Sequence, residues 1–328
     1  MIQKGAFIMK KKILVTGGLG QIGTELIMTL RGVYGNDNVI ASSIESDCPD
    51  FIKETGVYES LDVLDAKRLS EISKKHGINQ IVHLAAILSA VGEHNPQLAY
   101  NINMNGLFNV LEVARDTGSA VFTPSSIAAF GPTTPKDMTP QDTIQRPTTM
   151  YGVTKVAGEL LCDYYHQRFG VDTRGVRFPG LISYKALPGG GTTDYAVHIY
   201  YEAIKQRKYT SYIATGTKMD MMYMPDAIKS ILDLMEADGS KLIHRNAFNI
   251  AAMSFAPEDL EVEIKKHIPD FVLDYNVDPI RQQIADSWPN SLDDSAARAE
   301  WGWKPEFDLS KMTLDMLQKL SIKLGKAY

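Results

Sequence analysis

Short apolar runs alternate with longer amphipathic stretches through the first half of the chain. Ile13–Thr16 is the first run and stops at Gly17; a helix-length segment follows from Gln21 to about Arg31. Further runs lie at Asn38–Ala41, Tyr58–Leu61, Gln80–Ala85, Ser119–Thr123 and Thr173–Phe178. Between them, Ala66–His76, Leu98–Thr117 and Met150–Phe169 read as helices; in the last, Val153, Val156, Leu160 and Leu161 recur at helical spacing. Unbroken apolar strands separated by helices predict a parallel sheet covered on both faces. Right-handed crossovers then give an α/β, doubly wound arrangement.

Past residue 180 the rhythm changes. Leu187–Thr193 (LPGGGTT) reads as a loop, Tyr195–Gln206 as a helix, Met219–Met224 as a strand and Pro225–Met235 as another amphipathic helix. The chain ends on a helical stretch, Leu309–Leu324. The expected organisation is a dinucleotide-binding domain over 10–180, with a segment near 216–250 returning to it. A smaller mixed α/β lobe over 181–328 would mainly bind substrate. No repeat or low-complexity tract interrupts this order.

Composition narrows the class. The 328 residues are 44% hydrophobic and 22% charged, enough apolar material for a large core, with a formal net charge of −5. A mildly acidic chain lacks the clustered Lys and Arg that nucleic acid or an anionic membrane requires, so neither is expected as a partner. Its only basic cluster, Lys10–Lys12, abuts the first strand and reads as a solvated lead-in. Cys48 and Cys162 form no CxxC pair; free thiols in a reducing compartment are expected, and no metal site. No apolar run reaches the roughly 20 residues needed to span a bilayer. The apolar part of the N-terminus is too short for a secretory signal, and residues 1–8 read as dispensable. A cytoplasmic location is the expectation that remains.

The first strand runs straight into Gly17-Gly18-Leu19-Gly20-Gln21-Ile22-Gly23, which opens the first helix. In a strand–turn–helix of this kind the glycines divide the work. Gly17 permits the tight turn, Gly20 lets a pyrophosphate approach the backbone, and Gly23 lets the helix pack closely. The helix N-terminus, including Gln21 and Ile22, offers free N–H groups and partial positive charge. An acid about 20 residues on normally bonds the adenosine ribose. Ser43 stands at that place, with Glu45 able to serve if the loop bends back. Arg31 and Lys53 bracket a stretch with no Lys or Arg. A 2′-phosphate would want a cation there, so NAD is the expected cofactor rather than NADP.

Tyr151-Gly152-Val153-Thr154-Lys155 places a phenol and an ammonium four residues apart, on one helix face. A free phenol ionises only near pH 10. A neighbouring ammonium and an oxidised nicotinamide both favour its anion. That makes Tyr151 a candidate base for an alcohol proton, with Lys155 also bonding the nicotinamide ribose. Upstream, Pro124-Ser125-Ser126 ends the fifth strand, at the sheet edge where ligands gather in open α/β folds. His83, on an apolar strand, reads as a core histidine, and the methionines of 219–224 as packing. From the residues Asn103 reads as an ordinary polar residue of its helix; a resemblance to the extended short-chain dehydrogenases, drawn from the motifs above, implies with equal weight a structural support of this site.

These motifs, with their GxxGxxG spacing, resemble the extended short-chain dehydrogenase/reductase superfamily and its Rossmann fold. Longer stretches narrow the likeness: Leu84-Ala85-Ala86-Ile87-Leu88-Ser89-Ala90, Phe178-Pro179-Gly180-Leu181-Ile182-Ser183-Tyr184, Gly190-Gly191-Thr192-Thr193-Asp194-Tyr195-Ala196 and Ser287-Trp288-Pro289. From Lys12 onward the chain resembles the short-chain-type L-threonine 3-dehydrogenases, related to nucleotide-sugar epimerases. The resemblance implies oxidation of L-threonine at its β-carbon to 2-amino-3-oxobutanoate, with Tyr151 as base and Ser126 holding the same oxygen. It implies Ser89, Ser125, Gly191, Thr192 and Thr193 around the amino acid, with Trp288 closing over it. It adds Asp62, Val63, Leu84, Ala85, Ala86 and Phe178 to the cofactor side, and a homodimer. Where that family usually carries an aspartate after Ala-Ser, this chain has Ser43. A nucleotide-sugar epimerase or dehydratase is the alternative; such enzymes usually supply cations for the phosphates, and Arg174 and Arg177 are open to being misread as those cations. A catalytically silent NAD sensor is a second.

Overall fold

The protein is described by a computed structural model over residues 11–185 and 190–328. The N-terminal lead-in through Lys10 and the Leu187–Gly189 part of the predicted loop lie outside the described residues.

Six strands form the central sheet: β1 (Ile13–Thr16), β2 (Val39–Ser43), β3 (Tyr58–Ser60), β4 (Gln80–His83), β5 (Ala120–Phe122) and β6 (Thr173–Arg174). They pair in the order β3-β2-β1-β4-β5-β6, all parallel, with Ile13 opposite both Val39 and Gln80. Successive strand residues point to opposite faces, and the apolar runs feed two cores in just this way. Ile13, Val15, Val39, Ala41 and Val82 pack with Leu26, Ile27 and Leu30 of the helix Gln21–Tyr34 and with Ile228, Ile231 and Leu234 of Met224–Glu236. Leu14, Ile40, Ile81 and Val121 face the other way, onto Leu69 and Ile72 of Ala66–His76 and Val110 and Leu111 of Gly106–Thr117. Each such side chain, fully buried, contributes about 1.5–3 kcal/mol against exposure. That is why a covered parallel sheet reads as continuous apolar sequence.

The sixth predicted strand, Thr173–Phe178, is broken at Gly175. A Cβ there would stand 2.4 Å from the Thr123 carbonyl oxygen and 2.8 Å from that of Asn246. Before the break the chain belongs to the central sheet. After it, Val176–Phe178 runs between Ser125–Ser126 and Phe248–Asn249. The helix read over Leu98–Thr117 is also interrupted. Pro96–Tyr100 and Gly106–Thr117 flank a wide π-helical turn at Asn101–Asn105. Inserted turns of this kind are frequent at functional sites.

The rest of the chain builds a third core around Tyr195, Tyr200, Phe271, Met312 and Leu317. Its strand Met219–Tyr223 lies between Gly180–Ile182 and Met253–Phe255. Met219, Met221 and Met222 are fully buried, as packing requires. Among the described residues no helix is long and apolar enough to cross a membrane.

Candidate active site

Strand order reverses at β1, whose neighbours β2 and β4 carry the chain to opposite sides. In open α/β sheets the crevice beyond such a reversal is where ligands bind. Gly17 leaves β1 with φ +66°. A Cβ on it would lie 2.6 Å from the Ala85 nitrogen and 2.8 Å from the Leu84 carbonyl carbon. The turn therefore presses on the backbone that leaves β4. Gly23 packs against the turn rather than the sheet: its Cβ would meet the Gly17 oxygen at 2.5 Å and the Gly18 Cα at 2.7 Å. Over Gly20, a Cβ would meet only the Gly17 oxygen, at 3.3 Å. The helix begins there with no side-chain cap and no acid in its first turn. The buried Gln21 Nε2 lacks a hydrogen-bond partner among the described residues. Open backbone, free helix N–H groups and an orphaned donor together fit a pyrophosphate.

One cleft of about 250 Å³ brings this loop together with the candidate chemistry. Gly17, Gly20, Gln21, Ile22, Gly23, Leu84, Ala86 and Phe178 line its cofactor side. Ser89, Ser125, Ser126, Tyr151 and Lys155 line it farther in, and Gly191, Thr192, Thr193 and Trp288 reach it from the lobe. Ser43, Asp62, Val63 and Ala85 sit beyond that lining. Ala85 lies under Gly17, Ser43 ends β2, and the exposed Asp62 and buried Val63 follow β3.

Tyr151 and Lys155 stand in the first two turns of Met150–Phe169, begun by Thr149, whose side chain accepts from the Gly152 amide. Lys155 Nζ donates to the Pro124 carbonyl at 2.7 Å and lies 5.3 Å from the Tyr151 ring centre. It is thus held between the serine strand and the phenol. The two serines divide sharply. Ser126 is half-buried in the cleft, its hydroxyl accepting from the Ala128 amide at 3.2 Å. Ser125 donates instead to Glu159, one turn beyond Lys155. Glu159 is also held by Gln145 Nε2 at 2.7 Å and by Arg177 at 2.9 and 3.0 Å. This network clamps the serine strand to the tyrosine helix. Asn103 braces the other side: it bonds both backbone groups of Ile87, at 2.8 and 3.1 Å, and the Thr154 hydroxyl at 3.1 Å. Those bonds reach across from the wide turn. His83 shares a 2.8 Å hydrogen bond with Thr16. Burial, with the Lys155 charge second, drives its imidazole down to about 3, so it stays neutral.

The sequence reading passed over Asp194. It lines the cleft beside Thr192 and Thr193, 8% exposed. One carboxylate oxygen takes the amides of Gly190 at 2.9 Å and Gly191 at 2.6 Å. Burial pushes its carboxyl above the ordinary value, against those amides. The neighbouring Thr192 hydroxyl is buried without a hydrogen-bond partner among the described residues. The available signal was an acid three residues after Gly191, the place from which a carboxylate reaches back to the amide that opens a helical turn. Trp288 is both core and wall, 6% exposed and lining the cleft.

The chain is similar to several known proteins. An L-threonine dehydrogenase of Clostridium difficile is 66% identical over 95% of this chain and 98% of its own, with a TM-score of 0.94. A protein described as a monomeric L-threonine 3-dehydrogenase, from a metagenome, is 48% identical over 95% and 99%, with a TM-score of 0.91. An uncharacterised epimerase/dehydratase of Staphylococcus saprophyticus is 58% identical over 95% of this chain and 98% of its own. The family model of NAD-dependent epimerases and dehydratases matches residues 13–251, and the chain belongs to that family, whose cofactor is NAD.

Proposed function

We propose that the protein oxidises L-threonine at its β-carbon, producing 2-amino-3-oxobutanoate. Bound NAD supplies the acceptor for the two electrons removed. Tyr151 takes the hydroxyl proton, with the Lys155 ammonium 5.3 Å from its ring centre. Ser126, left free when Ser125 turns to Glu159, donates to the substrate oxygen and orients the carbon. Thr192, Thr193 and Ser89 receive the carboxylate; the Gly191 amide, given to Asp194, is not open to it. Asp194, a buried carboxylate with no ion pair within 4 Å among the described residues, receives the ammonium as a direct counter-charge, His198 and Arg281 acting on it only from farther off. Trp288 and Phe178 exclude water from the small substrate. In the same reading, residues 10–180 hold the cofactor and 181–328 mainly the substrate.

The observation that carries this reading is the charge of the cleft. Lys155 is the only Lys or Arg in its described lining, and it is already bound to a carbonyl. A nucleotide sugar brings a diphosphate that wants cations. Arg177 is buried against Glu159, and Arg174 against Asp172 and the carbonyls of Leu234 and Ala237. Similarity to the Clostridium difficile threonine dehydrogenase supports the same choice. The test is NADH formation with L-threonine beside a panel of nucleotide sugars. Turnover with threonine alone is expected; turnover with a nucleotide sugar alone would overturn the assignment, and NAD binding without either reaction would leave a sensor.

We also propose a homodimer through the helices Gly106–Thr117 and Met150–Phe169. Phe108, Val153, Leu160 and Tyr164 are exposed there, and Phe108 and Tyr164 both pack edge-on against the buried Tyr165. Exposed apolar surface on these neighbouring helices supports an interface there.

A further inference from the structure

The end of β2 is where a Rossmann sheet meets the adenosine ribose, and an acid there bonds its hydroxyls. Here the strand ends in Ser43, which cannot do so as a carboxylate would. Yet the chain beyond it does not run off into solvent. The Ser60 hydroxyl reaches the Ile44 carbonyl at 3.4 Å, and the Tyr58 hydroxyl donates to the Glu45 carbonyl at 2.7 Å. The loop is thereby folded back over the strand end, and the Glu45 carboxylate accepts the Ser43 hydroxyl. The Gly18 amide donates to the Ser42 carbonyl at 2.8 Å, so this strand end abuts the phosphate loop.

We propose that Glu45, steered by Ser43, is the group that meets the adenosine ribose of NAD and excludes the 2′-phosphate of NADP. The neighbouring charges leave that task to it. Asp62, at the end of β3, turns a carboxylate oxygen onto the Leu64 amide at 2.9 Å. Asp47 is paired with Lys53 at 2.7 Å, which consumes the nearest cation along the chain. Arg31 is buried, with its guanidinium on the carbonyls of Ile52 and Val57. A 2′-phosphate brought here would face an exposed carboxylate with no free cation among these residues, whereas ribose hydroxyls would donate to it. The serine contributes direction: its hydroxyl fixes the carboxylate over the strand end, where an acid on the strand itself would otherwise project.

The test reads binding, so its outcome is independent of which substrate the enzyme oxidises. NAD and NADP are titrated separately against the wild-type chain, Glu45→Ala and Ser43→Ala, with thermal midpoints recorded for each. Glu45 is exposed and Ser43 half-buried, so the midpoints should move little. Glu45→Ala is expected to weaken NAD about tenfold, the size of one charge-assisted hydrogen bond. NADP should be weakened less or bound more tightly, so the preference for NAD falls. Ser43→Ala should move both in the same sense by a smaller factor. Restoring an acid on the strand in Ser43→Asp/Glu45→Ala should recover NAD affinity. The proposal is overturned if Glu45→Ala keeps wild-type affinity for NAD and the wild-type preference over NADP.

Discussion

The clamp between the serine strand and the tyrosine helix rests on one buried ion pair, and breaking it should be costly. Glu159 and Arg177 side chains are each 6% exposed. Their contact is bidentate, at 2.9 and 3.0 Å. Glu159→Ala would leave the guanidinium with only the Gln141 carbonyl at 2.8 Å and Asn249 Oδ1 at 3.0 Å, and would strip the Ser125 hydroxyl and Gln145 amide of their acceptor. Removing one partner of a buried pair typically costs about 3–5 kcal/mol, because the other charge is left without compensation. Replacing both partners by apolar groups of similar volume is often close to neutral. Urea denaturation followed by circular dichroism should therefore show Glu159→Ala destabilised by about 3–5 kcal/mol. Glu159→Leu/Arg177→Met should recover most of that loss. In the double variant threonine turnover should remain reduced, since the serine strand is no longer tied to the helix by charge. The reasoning fails if the single variant costs less than about 1 kcal/mol, the scale of an exposed pair, or if the double variant is no more stable than the single.

Three further outcomes follow from particular contacts. Gly17→Ala forces a side chain into a left-handed backbone and against the Leu84–Ala85 backbone; NAD affinity should fall by more than tenfold in equilibrium titration, and an unchanged affinity would contradict the turn geometry. Burial holds the Asp220 carboxyl protonated up to about 8, while the unfolded chain releases that proton near 3.8. Its folded pKa is raised, so its contribution is fully present below 3.8 and declines as pH rises toward 8, by at most about 1.4 kcal/mol per unit. Asp220→Asn keeps an acceptor for the Leu292 amide and should gain stability relative to wild type between pH 5 and about 8; parallel pH dependences would contradict this. Leu160→Arg puts a charge into the exposed face of Met150–Phe169 and should convert dimer to monomer by sedimentation; a wild-type chain already monomeric would remove the dimer.

The sheet was legible because a parallel sheet covered on both faces leaves unbroken apolar runs, and Ile13–Thr16 and Gln80–His83 stand nearly where the pattern put them. What the pattern could not carry depends on distant partners. Gly175 breaks a strand because of the Thr123 and Asn246 carbonyls, far apart in the chain. The wide turn at Asn101–Asn105 goes with a side chain that bonds Ile87 and Thr154. Of the candidate site, the glycine loop and the Tyr–Lys pair were readable because their spacing is local. The division of labour between Ser125 and Ser126 was not, since it is set by Glu159 across the helix–strand contact. Nor were the commitments of Arg174 and Arg177, which as sequence are open to misreading as phosphate cations and in the fold are held by Asp172 and Glu159. Asp194 gains its place only when the loop folds its carboxylate onto Gly190 and Gly191.

The central claim is that this cleft removes the hydroxyl proton of L-threonine through Tyr151. The most direct measurement is threonine-dependent NADH formation by wild type and Tyr151→Phe, with NAD affinity measured in the same preparations. The account predicts steady turnover by wild type, and a loss of at least a hundredfold in kcat for the variant, the low end of a general base's contribution. NAD affinity should remain within about twofold, less than one hydrogen bond to the cofactor would contribute. Near-normal turnover by Tyr151→Phe, or none by the wild type with threonine, would contradict it.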